Sequence, residues 1–139
     1  MFASAFGSNV SKRQAGAYRD VLVSTGVNSA SAHGLIGMLY DGLLGAIAEA
    51  RGGMRKRDMP VKHKAISRAM RIVDEGLNDA LNVKDGGALA ADLRNLYNYI
   101  NLRLTQANLK NDEAALDECV NLVETLRSAW AQIADATPA

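Results

Sequence analysis

Leu35-Ile36-Gly37-Met38-Leu39-Tyr40-Asp41-Gly42-Leu43-Leu44-Gly45 is an apolar run at helical spacing that carries three glycines. Each glycine inside a helix costs about 1 kcal/mol relative to alanine, so packing must offset three of them. At about 100° per residue, Ile36, Leu39, Tyr40, Leu43, Ile47 and Ala50 share one face, whereas Gly37, Asp41, Gly45 and Ala48 share another. The first is a core stripe. The second is a narrow strip of small residues over which another backbone can lie close. The run therefore predicts a helix with two working faces, and the second face predicts a partner.

Outward from this run the helical period continues. No segment alternates apolar and polar residues over the length of a strand. A short helix is expected over residues 15–23, ended by Thr25-Gly26, and the cluster from Asn28 to Ser31 offers caps for the long helix, expected from about 32 to 51. Gly52-Gly53 is read as its end, with Pro60 placed where a helix start tolerates it. Over 61–81 the apolar positions are Ile66, Met70, Val73, Leu77 and Leu81, with Arg68, Arg71, Glu75 and Asn78 on the far side. Lys84-Asp85-Gly86-Gly87 reads as a turn before a helix over about 88–109, whose core stripe is Leu89, Leu93, Leu96, Tyr97, Ile100, Leu104 and Ala107. Lys110-Asn111-Asp112 supplies the next turn and cap, and Leu116, Cys119, Val120, Val123, Leu126, Trp130 and Ile133 mark one face of the last helix. The class is all-α. Long helices with short connections predict an antiparallel four-helix bundle with an additional short N-terminal helix.

The 139 residues, 48% of them hydrophobic, fit one domain, with flexible ends expected over about 1–14 and 134–139. No apolar run is long enough to span a bilayer and residues 1–10 lack the pattern of a secretory signal, so a cytoplasmic protein without stable membrane insertion is expected. The single cysteine, Cys119, cannot form an internal disulfide and fits a reducing compartment. Asn9-Val10-Ser11 matches a glycosylation acceptor that has no consequence in that compartment.

The net charge of +1 hides an asymmetry: residues 1–71 hold 11 Lys/Arg against 4 Asp/Glu, and residues 72–139 hold 5 against 11. Arg51, Arg55, Lys56, Arg57, Lys62, Lys64, Arg68 and Arg71 flank Pro60. A basic helical nucleic-acid-binding protein is the alternative that this cluster raises. No aromatic residue interleaves with it, however, and a solvated inter-helix turn is the simpler account, so no nucleic acid is expected as partner.

Catalytic chemistry finds little to stand on. His33 and His63 open two different helices with no carboxylate or cysteine at ligand spacing, and both read as surface or capping residues. Glu followed three residues later by His is missing, which argues against a di-iron bundle core. Cys119 falls on a core stripe and reads as an inert buried thiol. Neither a cofactor, a metal nor an enzymatic activity is expected. The helix over 88–109 says more, because Tyr99, Leu102 and Leu109 form a second apolar ridge among Asn95, Asn98 and Gln106. Two readings stand for such a ridge: the N-terminal helix, with Tyr18, Leu22 and Val23, covers it, or a partner does; the two are compatible if a small helix held by few contacts is displaced when the partner arrives. With the glycine strip, the ridge is read as lining a groove.

Three separated motifs carry a family likeness. The segment Leu35-Ile36-Gly37-Met38-Leu39-Tyr40-Asp41-Gly42, then Leu96-Tyr97-Asn98-Tyr99 with Arg103-Leu104 and Ala107-Asn108, and finally Leu126-Arg127-Ser128-Ala129-Trp130, together resemble the flagellar secretion chaperone family known as FliS. The likeness runs from about residue 18 to 130. One departure is that the family often has proline before this long helix, where this chain reads Ala30-Ser31-Ala32-His33-Gly34. The resemblance implies a cytoplasmic helical bundle that binds the disordered C-terminal segment of flagellin, which gains helices as it wraps the chaperone. It implies that binding blocks premature polymerisation and keeps the subunit fit for type III export, with the flagellar export gate as a further partner. Tyr18, Leu22, Leu35, Gly37, Met38, Asp41, Gly45, Ala48, Tyr99, Leu102 and Asn108 are the residues expected to meet flagellin. A helix-in-groove mode needs anchors at three-to-four spacing and close backbone approach, which Tyr99 with Leu102 and the Gly37 to Ala48 strip respectively offer.

Overall fold

The computed structural model describes residues 31–133, with 83–85 described by their backbone alone. The expected helix over 15–23, and with it Tyr18 and Leu22, lies outside the described residues. The described residues are helical throughout, connected by short turns: α1 (Ala32–Arg55), α2 (Met59–Arg71) continued by a π-helical stretch (Ile72–Asn78), α3 (Val83–Lys110) and α4 (Glu113–Ile133).

The helices form a ring in which α1 packs on α2 and α4, and α3 packs on the same two from the other side. Neighbours run in opposite directions. Along α1 and α4, His33 meets Trp130, Asp41 meets Arg127, Arg51 meets Asp117 and Arg55 meets Glu113. Along α2 and α3, Lys62 meets Asn108 and Met70 meets Asn101. Buried alanines such as Ala46, Ala50, Ala65 and Ala69 let the helices approach closely, and Leu39, Leu43, Ile47, Ile66, Leu77, Ile100 and Leu104 fill the centre. Across the diagonal, the hydroxyls of Tyr40 and Tyr97 bond to each other at 2.6 Å, satisfying two polar atoms in an apolar core.

Ser31 supplies the entry cap of α1, its hydroxyl accepting from the Gly34 N–H at 3.1 Å. Gly52-Gly53 does not end this helix, which continues to Arg55. Gly53 serves a crossing instead: a Cβ there would lie 2.7 Å from the Lys62 backbone nitrogen. The helix ends in a Schellman motif. Arg57 takes φ +56°, and the N–H groups of Arg57 and Asp58 donate to the Met54 and Gly53 carbonyls at 3.2 and 2.8 Å. Asp58 then caps α2 by accepting from Val61 N–H at 3.2 Å.

The stretch over 84–87 is not a plain turn either. α3 starts at Val83, and the break falls on Gly87, whose φ of +59° and ψ of −138° suit glycine alone. Asn78 is buried rather than on the far side of its helix. The π stretch places more residues in each turn than an α-helix, so the phase read at α spacing drifts along 72–78 and turns Asn78 inward. Leu89 goes the other way and is exposed at the loose start of α3.

Candidate functional site

Two open surfaces stand out among the described residues. The first lies where the start of α1 meets the end of α4. The His33 imidazole stacks on the Trp130 indole with centroids 4.4 Å apart and planes 9° from parallel. His33 Nε2 bonds the Trp130 carbonyl at 2.8 Å, and Trp130 Nε1 donates to the His33 carbonyl at 2.8 Å. A carbonyl only accepts, so Nε2 of His33 carries a proton. Beside this clamp opens a hollow of about 320 Å³ lined by His33, Gly34, Gly37, Met38, Asp41, Arg127, Trp130 and Ala131. Gly37 forms part of its wall, 3.9 Å from Trp130 Cδ1 when a Cβ is added, and an Asp41–Arg127 ion pair closes one side. Further along α1, Gly45 and Ala48 are exposed, and a Cβ on Gly45 would meet nothing within 4 Å.

The second surface is the outer face of α3. Tyr99, Leu102 and Leu109 are 39%, 52% and 77% exposed. Burying them would release apolar area worth about 25 cal/mol per Å². The Tyr99 ring is not free to turn inward, because its hydroxyl donates to Glu118 Oε2 at 2.7 Å while Arg103 Nε donates to the other carboxylate oxygen at 2.7 Å. The Tyr99 hydroxyl, with Arg103 second, holds the Glu118 carboxyl below the usual glutamate range. An aromatic ring is thereby held against solvent by its polar tip.

Between α2 and α3 runs a polar seam. Asn78 Nδ2 donates to Asn98 Oδ1 at 3.0 Å and Asn101 Nδ2 to the Met70 carbonyl at 3.4 Å. Lys62, only 1% exposed, donates from Nζ to the Asn108 carbonyl at 3.0 Å and to Asn111 Oδ1 at 2.7 Å. Those two acceptors lie at the C-terminal end of α3, where carbonyls are left without helical partners and favour a cation. Asn111 at φ +51° and the Asp112 N–H to Ala107 carbonyl bond of 3.1 Å complete a Schellman-type corner.

Of the residues nominated from the sequence, Gly37, Met38 and Asp41 line the hollow, Gly45 and Ala48 lie on the open face of α1, and Leu35 is half-buried. Tyr99 and Leu102 share the outer face of α3. Asn108 is instead drawn into the seam, with its Oδ1 buried and without a hydrogen-bond partner. The α1 strip and the α3 ridge lie on two helices that both flank α4, the strip meeting it at the Asp41–Arg127 pair and the ridge at the Tyr99–Glu118 bond. His33 is no simple surface residue but half of the clamp, and Lys62 is a buried tie rather than part of a solvated basic run. Sequence spacing carries no sign of either role, because both partners lie far along the chain.

Cys119 is buried on α4 with Sγ 3.7 Å from the Ile100 carbonyl, and burial pushes its thiol up to about 11. It is a packing residue. Among the described residues no group of three or more His, Cys, Asp or Glu could hold a metal, and no helix is long and apolar enough to cross a membrane.

Comparison with known proteins gives the surfaces a context. The sequence matches the family model described as flagellar protein FliS over residues 14–137. It is 43% identical over 117 residues to the flagellar secretion chaperone FliS of Salmonella typhimurium, covering 84% of this chain and 87% of that protein. It is 39% identical over 113 residues to the flagellar secretion chaperone FliSB of Pseudomonas aeruginosa, covering 81% and 89%. The flagellar secretion chaperone FliS of Vibrio cholerae is 33% identical over 117 residues, with 84% and 85% covered.

Proposed function

Since the chain belongs to the FliS family of flagellar secretion chaperones, we propose that its client is the C-terminal segment of a flagellin, wrapped around the bundle in the cytoplasm. The family is one of chaperones and not of enzymes. The observation that carries the client reading is the outer face of α3, where a tethered Tyr99 and the exposed Leu102 and Leu109 form an apolar ridge. A disordered segment that folds on binding gives up about 2–5 kcal/mol in ordering, so it needs more than one apolar contact surface. The ridge on α3 and the hollow with the small-residue strip on α1 are two such surfaces, one on either side of α4. A client that wraps reaches both; a client that merely docks reaches one. Sequestering that segment keeps flagellin from polymerising early, and the loaded complex is what the export gate receives.

Titration calorimetry with a peptide from the flagellin C-terminus tests this, and absence of binding at micromolar concentration sinks it. Leu102→Ser is expected to weaken binding at least tenfold while leaving the melting temperature nearly unchanged, since its side chain is half in water already. Gly45→Leu is expected to weaken binding more than folding, because bulk there meets only what lies over the strip. Unchanged affinity per folded molecule in both variants removes both surfaces from the client interface.

A further inference from the structure

One end of the bundle gathers exposed cations and exposed apolar side chains. The turn at 56–58 and the turn at 111–112 both lie there, tied together by the Lys62 bonds to Asn108 and Asn111 and by the Arg55–Glu113 pair. Several basic side chains near this end are already neutralised: Arg51 by Asp117, Arg55 by Glu113 and Arg68 by Glu49. Lys56, Arg57, Lys64 and Lys110 are exposed and have no ion-pair partner among the described residues. The nearby carboxylates offset this charge in part, but none forms an ion pair with these four. Asp58 and Asp112 are turned to the N–H groups that open α2 and α4, and Glu113 and Asp117 are taken by α1. Amid these four cations stand Met59, Val61 and Leu109, each exposed.

We propose that this end docks peripherally on an anionic lipid surface. The chemistry is that of an interfacial site: cations attracted by acidic headgroups, with apolar side chains beside them entering the boundary of the acyl region. Exposed Met59 and Val61 beside the cations favour a lipid boundary over a purely ionic partner. Long lysine and arginine stems can lie along the apolar residues while their charges stay at headgroup level. Leu109 is shared between this end and the α3 ridge, so docking by the end leaves Tyr99 and Leu102 of that ridge and the hollow on α1 accessible. The inference rests on the charge and exposure of this end and stands apart from the identity of the client.

Vesicle co-sedimentation of the full chain tests it, comparing phosphatidylglycerol mixed in equal parts with phosphatidylcholine against phosphatidylcholine alone. Binding is expected to the anionic vesicles only, and to fall at least about tenfold between about 0.05 and 0.5 M salt as the field is screened. Each cation near such a surface contributes about fivefold, so Lys56→Gln, Arg57→Gln, Lys64→Gln and Lys110→Gln together are expected to abolish sedimentation. Arg94→Gln, at an exposed site remote from this end, is expected to bind as the parent does. Met59→Ser with Leu109→Ser is expected to bind several-fold more weakly with an unchanged salt slope. Circular dichroism confirms that the variants fold, as replaced side chains without partners should allow. No binding to anionic vesicles at low salt overturns the proposal, as does binding that survives the quadruple variant. Vesicles left unbound while polyglutamate or duplex DNA is bound through the same four residues overturns it in favour of an acidic protein or a nucleic acid.

Discussion

His33 and Trp130 hold each other twice: each ring nitrogen bonds the other residue's backbone carbonyl at 2.8 Å, and the rings stack 4.4 Å apart. This closes the first turn of α1 on the last turns of α4, 97 positions away in the chain. It also builds the wall of the hollow in which Gly37 and Asp41 lie. Trp130→Phe keeps a stacked ring but removes the indole donor to the His33 carbonyl, and is expected to cost about 1–2 kcal/mol. Trp130→Ala opens a cavity and is expected to cost about 3–5 kcal/mol. Urea unfolding followed by far-ultraviolet circular dichroism measures both. Equal losses for the two variants would show that the indole hydrogen bond carries the whole effect.

Lys62 ties the start of α2 to the α3–α4 corner. Lys62→Met retains the apolar stem and removes the donor that the Asn108 carbonyl and Asn111 Oδ1 share. A loss of about 1–2 kcal/mol is expected, with faster amide exchange concentrated around residues 108–112. Uniformly faster exchange across the bundle would mean that the tie acts globally.

Two glycines of α1 are expected to respond to alanine with opposite signs. A Cβ at Gly45 meets nothing within 4 Å, so Gly45→Ala is expected to stabilise by about 0.5–1 kcal/mol through helix propensity. A Cβ at Gly53 lies 2.7 Å from the Lys62 backbone nitrogen, so Gly53→Ala is expected to destabilise by about 2–3 kcal/mol as α1 and α2 are pushed apart. Thermal melts of the pair test the crossing, and stabilisation by both would remove the close approach.

Titration brackets the stable range. The Glu118 carboxyl lies below its ordinary 4.5, so its contribution is present above pH 4.5 and is lost as pH falls through the lowered value. Burial raises the Cys119 thiol from 9.0 to about 11, so its contribution is full below pH 9 and is lost as pH rises through about 11. Burial also raises Tyr40 and Tyr97 above their ordinary 10.0. Urea midpoints are therefore expected to decline from about pH 9 upward, and in Cys119→Ala only from about pH 10, where the tyrosines of the unfolded chain begin to ionise. An onset that does not move would clear Cys119 of any part in the alkaline limb.

Much of this was legible beforehand where the signal is local. The face carrying Ile36, Leu39, Tyr40, Leu43, Ile47 and Ala50 is buried throughout, Ser31 caps α1, and Asp112 caps α4 with Oδ1 3.0 Å from the Ala114 nitrogen. The projection of Tyr99, Leu102 and Leu109 away from the core also follows from the 3.6-residue period. The misread positions share a cause. Gly53 looks like a helix end until α2 is seen crossing it, and Asn78 looks solvent-facing only if the helix keeps α spacing through 72–78.

By itself the sequence determined the helices, their buried stripes and, through three separated motifs, the family. Those properties depend on residues within a turn or two of each other, or on their order along the chain. Only the tertiary structure decided that the α1 strip and the α3 ridge both flank α4, that Arg127 reaches Asp41, and that Lys62 is buried at a corner. Each of these depends on which helix lies beside which, a relation set by summed packing over the whole core and by close crossings such as that at Gly53. No local period encodes it.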